Sequence, residues 1–140
     1  MIKLMAMFKI IMALILSGAA THSAKLGVIV KNIQIGKGTV VVELYDSKEN
    51  LHHKKWLLSQ TLKAASGSLQ FTFEISEGSD AVKVFQDINE NKKCDEGLFH
   101  IPKERYGLGN NFRPKFSAPA FEDCKFLVTG ETNQTIFLEK

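Results

Sequence analysis

The chain has 140 residues, enough for one hydrophobic core but not two. Its 44% hydrophobic and 24% charged residues exclude a disordered polypeptide. Setting aside the N-terminal leader, with Lys3 and Lys9, leaves 16 basic residues against 15 acidic, a net charge of +1, which excludes the basic face that a nucleic-acid partner requires.

The leader comes first in chain order. Met1 to Lys9 is basic and free of acids, Ile10 to Leu16 is unbroken apolar, and Ser17 to Ala20 are small. A basic start, a short apolar run and a small-residue exit predict a secretory signal peptide over residues 1–24, cleaved between 20 and 24. The apolar run falls short of the ~20 residues a bilayer span needs. Leu16-Ser17-Gly18-Ala19 is similar to a lipoprotein box, but alanine stands where the acylated cysteine must be. The expectation is an exported protein, periplasmic or secreted, with no membrane span in a mature domain of residues 25–140.

Within that domain, Leu26 to Ile33 is rich in β-branched residues and ends at the turn signal Gly36-Lys37-Gly38; with Thr39 to Tyr45 it reads as a hairpin. Leu51 to Leu58 is ambiguous between strand and helical turn. Leu69 to Ile75 alternates, with Leu69, Phe71, Phe73 and Ile75 on one face. Asp80 to Phe85 alternates again, with Ala81, Lys83 and Phe85 opposite Val82 and Val84. Lys125 to Thr129 and Thr135 to Leu138 read as a final strand pair. About six or seven short strands, with no convincing helix, predict an all-β fold: a single antiparallel β-sandwich, immunoglobulin-like or prealbumin-like.

Between the strands lies the stretch richest in chemistry, Phe85 to Asn111. Oxygen-bearing side chains recur at alternate positions: Asp87, Asn89, Asn91 and Asp95. A tightly curled loop turns such side chains onto one point, as in the first half of a calcium loop; Lys93 falls where a backbone carbonyl would serve. Lys92 stands where the sharp turn wants glycine, and Leu98 where a bidentate Glu is wanted, so a distant acid, Glu104 or Glu96, must complete the shell. Calcium would then be held weakly, with a Kd of roughly 10⁻⁴ to 10⁻³ M. The alternative is that these Asp and Asn side chains only cap turns. Cys94 and Cys124, an even count in an exported chain, are expected to form a disulfide worth roughly 3–4 kcal/mol.

Asp87-Ile-Asn-Glu-Asn, then Asp95, then Ile101-Pro102-Lys103-Glu104 followed by Tyr106-Gly107 and Asn110-Asn111, then Pro119 and Phe121, resembles an exported bacterial family called domain of unknown function 2141. The resemblance runs across the mature chain and implies a small secreted or periplasmic β-sandwich without an assigned biochemical role; it supplies no catalytic residue. The chain departs from the family pattern at Gln86 (usually His), Lys92 (the loop glycine), Cys94 (an apolar residue) and His100 (the glycine before Ile-Pro). A Cys94–Cys124 bridge could pin this loop in place of an ion.

Enzyme signatures are lacking: there is no G-x-S-x-G, no H-E-x-x-H and no Cys with a matching His–Asn set. His52-His53 reads as a solvated turn, since neighbours on a strand face opposite ways. The expectation is a non-catalytic module that binds an unidentified envelope or extracellular ligand. The alternative is an envelope enzyme or small-ligand carrier using the aromatic-basic 99–121 loop, with Tyr106, Phe112, Phe116 and Phe121 beside Arg105, Arg113 and Lys115.

Overall fold

The computed structural model describes residues 22–98 and 102–140. The expected leader lies outside them as far as Thr21. Ser23 and Ala24, counted with the leader above, stand inside the first strand, paired with Ser76 and Ile75, and Ala24 is buried.

Eight strands form two packed sheets. The first sheet has three strands in the order β4 (Leu69–Ser76), β1 (Ser23–Lys31), β8 (Glu131–Phe137). The second runs β3 (Leu58–Lys63), β2 (Thr39–Tyr45), β5 (Gly78–Asp87), β6 (Tyr106–Leu108), and β7 (Lys125–Val128) pairs with β5 beyond β6. Period-2 alternation sends Leu26, Val28 and Val30 of β1, Phe71, Phe73 and Ile75 of β4, and Val82 and Val84 of β5 into the space between the sheets. The sandwich predicted from the pattern is therefore present.

Its connectivity differs from the expectation in two places. The expected β1–β2 hairpin does not form, because the two strands lie in different sheets. The link between them crosses the sandwich: Ile33 is buried in the core, and Asn32, Gly36 and Gly38 adopt positive φ (63°, 80° and 64°) to turn the chain. The expected β7–β8 pair also splits, β7 joining β5 and β8 lying parallel to β1, so the sandwich is not wholly antiparallel. Short helical segments complete the chain, one of them ending inside the stretch Leu51 to Leu58 that the sequence leaves ambiguous between strand and helical turn. These are α1 (Lys48–His52), capped by the Ser47 hydroxyl accepting from Asn50 N–H at 3.1 Å, and α2 (Phe121–Cys124). Residues Gly109–Asn111 form a single 3-10 turn.

Strand β5 is buried on both faces, as the second sheet carries a cluster on its outer side as well. Val41, Tyr45, Ala81, Phe85, Tyr106, Leu108, Phe121 and Cys124 form this cluster, with Leu51, Cys94 and Phe112 packed against it. The run Val40-Val41-Val42 in β2, buried throughout, has the same cause.

A buried amide locks the crossing link to β5. Gln86 is wholly buried; its Oε1 accepts from Gln34 N–H at 2.9 Å, while its Nε2 donates to the carbonyls of Gln34 and Lys37, each at 2.7 Å. Gly107 makes a second close approach: any Cβ there would run into Ile136 of β8. Replacing the amide by a hydrocarbon of similar size removes every one of those partners at once. Gln86→Leu should lower stability by about 1–3 kcal/mol, read as a lower urea midpoint with an unchanged m-value. A midpoint equal to the parent's would show that the link holds without the amide.

Candidate functional site

Strand β5 ends at Asp87, and the loop that follows is built from its carboxylates outward. Asp87 is buried, and both its oxygens are turned to the backbone: Oδ1 accepts from Asn91 N–H at 3.2 Å and Oδ2 from Lys92 N–H at 2.7 Å. Asp95 gathers the side chains, Oδ2 accepting from the Asn89 amide and Oδ1 from the Asn91 amide, both at 3.0 Å. Asn91 Oδ1 in turn accepts from Lys93 N–H at 3.0 Å. The loop must reverse sharply to achieve this, and Glu90 and Lys92 take left-handed φ of 54° and 62°. Lys92 thus adopts the glycine-like conformation that the sixth position of such a loop demands.

Of the two acids offered by the sequence to complete the shell, the fold brings in Glu104. It hydrogen-bonds to Asp95 and lies in the field of Asp87 and Asp95. Glu96 is taken elsewhere, by Lys54 at 3.0 Å. Burial pushes the Glu104 carboxyl up to about 7, the hydrogen bond to Asp95 and the charges of Asp87 and Asp95 adding to it. Asp95 is held below the usual carboxylate range by the Asn91 amide, then by Glu104 and the Asn89 amide. Glu104 Oε2 is buried and has no hydrogen-bond partner. Asp87, Asn89, Asn91, Asp95 and Glu104 are therefore drawn together, while Lys93 contributes backbone and its side chain is exposed. Among the described residues no three His, Cys, Asp or Glu side chains form a ready metal cage. Unaided, the loop is closed by its own hydrogen bonds.

The expected disulfide is not formed: Cys94 and Cys124 are both free thiols. Cys124, the last residue of α2, is buried, its Sγ 3.5 Å from the carbonyl oxygen of Ala120, and burial pushes both thiols up to about 11. Pinning of the loop falls instead to Asp87 and Asp95.

The aromatic-basic loop divides in two. Its residues 99–101 lie outside those described, and with them His100, one of the departures from the family pattern. Arg113 is a clamp: its guanidinium lies 3.9 Å from the Tyr106 ring centre, and it donates to the carbonyls of Tyr106 (2.8 Å) and Glu139 (3.3 Å), fastening the C-terminus to β6. Phe112 and Phe121 pack on the outer cluster, whereas Phe116 is exposed. Between this loop, α1 and the outer face of the second sheet lies a cleft of about 390 Å³, floored by Tyr45, Lys83, Tyr106 and Leu108. Tyr106 and Phe121 of the 99–121 loop, singled out in the sequence as an alternative ligand site, line it; the contributions of α1 and of Lys83 were not foreseen, and the signal for Lys83 was its place on the same strand face as Ala81 and Phe85.

Two outcomes follow from the loop geometry. Relieving the left-handed backbone with Lys92→Gly should stabilise the protein by about 1 kcal/mol, measured by urea unfolding; a loss of stability would mean that the Lys92 side chain contributes more than its backbone costs. Glu104 holds a proton in the folded state at pH values where the unfolded chain, titrating near 4.5, has lost it. Its contribution to stability is thus intact below pH 4.5 and is lost as pH rises to about 7. Relative to the parent, Glu104→Gln should flatten the decline in melting temperature across that window; parallel pH profiles would show that Glu104 does not titrate there.

The geometry can be set beside known proteins. No curated protein and no solved structure matches the chain significantly. A family model described as "Uncharacterized protein conserved in bacteria (DUF2141)" matches residues 28–136, from the middle of β1 to the end of β8 and including the whole loop. The chain therefore belongs to the DUF2141 family of bacterial proteins.

Proposed function

We propose that this protein is an exported, non-catalytic binding module of the bacterial envelope, in which the 87–98 loop, completed by Glu104, takes calcium weakly as a structural ion. The observation that carries the ion reading is Glu104 Oε2, a buried carboxylate oxygen without a donor, beside the carboxylate of Asp95. Buried polar atoms are nearly always satisfied, and such an exception points to an ion or an ordered water. The Asn89 and Asn91 amides, now donating to Asp95, present oxygens to the same point on a half-turn about their last torsion, which gives up the bonds their oxygens accept from Asn91 N–H and Lys93 N–H. Asp87 would keep its backbone bonds and hold the turn open for the ion. Oxygen donors of this kind suit a hard cation, and a set with so few carboxylates suits low affinity. Export rests on the leader, with its basic start and short apolar run. The non-catalytic reading rests on the composition of the loop, where Asp87 and Asp95 are committed to hydrogen bonds and no nucleophile accompanies them.

Calcium at ten times its Kd adds about 1.4 kcal/mol to stability, so millimolar calcium should raise the melting temperature by several degrees over that in EDTA, with magnesium giving less. Glu104→Gln, which keeps the shape and removes the charge, should abolish the rise without lowering the melting temperature in EDTA. Identical melting of the parent in EDTA and in 10 mM calcium would end the ion reading.

A further inference from the structure

We infer that the cleft on the outer face of the second sheet is a binding site for a small organic carboxylate with an apolar, ring-sized body. This rests on the binding-module reading above but not on its calcium ion.

The cleft has the volume of a small-molecule site, about 390 Å³. Its walls are apolar and stiff: Pro102, Pro114 and Pro119 from the long connections, Leu51 from α1, and Phe121 at the start of α2. Proline walls have little freedom to lose when a ligand arrives. The sheet beneath supplies a firm base, because Tyr45 and Leu108 are buried in the outer cluster.

The charged groups within this apolar frame are predominantly cationic. Lys48, Lys54 and Lys83 line it beside the imidazole of His52, against a single acid, Glu96, which is already paired with Lys54. Lys83 is the central one. It projects from β5, the middle strand of the sheet, and is half-buried on the cleft floor. Lys83 takes no part in the ion pairs Lys54–Glu96, Arg113–Glu139 and Lys125–Glu122. Glu43 stands opposite it in the β2–β5 ladder and its carboxyl feels the Lys83 charge; Glu43 also accepts the Tyr45 hydroxyl at 3.3 Å and does not line the cleft, so Lys48, Lys54 and Lys83 exceed Glu43 and Glu96 by one charge. A half-buried ammonium between apolar walls favours an anion that brings its own hydrocarbon. A single carboxylate matches the charge left over beside Glu43. The lining offers no guanidinium fork of the kind that grips a phosphate dianion from two sides.

The test is isothermal titration of the purified protein, in EDTA, with 2-naphthoate and with its neutral analogue 2-naphthamide. The acid should bind at least tenfold more tightly than the amide. Lys83→Met should erase that preference while leaving the amide's affinity unchanged, and Ala118→Trp, placed at the exposed rim, should block both ligands. The rim variant also guards against misfolding, since it leaves the core intact and its melting temperature should equal the parent's. No binding of the acid at millimolar concentration, or equal affinity for acid and amide, would overturn the inference. So would a preference for the acid that survives Lys83→Met. Working in EDTA keeps the two readings separable: a failed titration leaves the calcium-dependent melting untouched, and an absent calcium shift leaves the titration untouched.

Discussion

Burial of β5 on both faces is the constraint on which the rest of the structure depends. Its inward side chains, Val82 and Val84, close the sandwich core, and its outward ones, Ala81 and Phe85, anchor a second cluster on the far side of the sheet. A strand covered on both sides cannot shift register without moving every side chain to the wrong environment. That rigidity is passed to its end, where Gln86 holds the crossing link and Asp87 organises the loop.

The two sites descend from the same strand by different routes. At the loop, a fixed Asp87 sets the backbone N–H groups of Asn91 and Lys92, and the turn so produced aims Asn89 and Asn91 at Asp95. At the cleft, Lys83 is held between two residues that face outward into apolar packing, and the amphipathic stem of lysine suits that position. Tyr106 joins them in space: it pairs with Phe85 in the ladder, lines the cleft and follows Glu104 by two residues. The Arg113 clamp on its ring then ties the C-terminus to the same strand edge.

Some of the departures from the family pattern acquire physical reasons. Gln86 satisfies three backbone groups of the crossing link with one planar amide. Lys92 shows that the loop's turn is enforced from outside, by the Asp87 carboxylate accepting its N–H, and not by the ease of a glycine. Cys94 occupies its position as a half-buried small apolar residue against the outer cluster, without a bridge.

The sequence by itself determined the fold class, the faces of β4 and β5, and the convergence of Asp87, Asn89, Asn91 and Asp95. Each of these is governed by local periodicity: alternation in a strand, and alternate side chains in a curled loop. Only the tertiary structure decided which strands pair, since a short link such as Asn32 to Gly38 looks like a hairpin turn whether it stays in a sheet or crosses between two. It also decided between Glu104 and Glu96, because that choice depends on where Lys54 and the chain after residue 101 come to rest. The thiols and the cleft belong to the same category: both depend on the outer cluster, which is assembled from β2, β5, β6 and α2, segments far apart in the chain and marked by no motif.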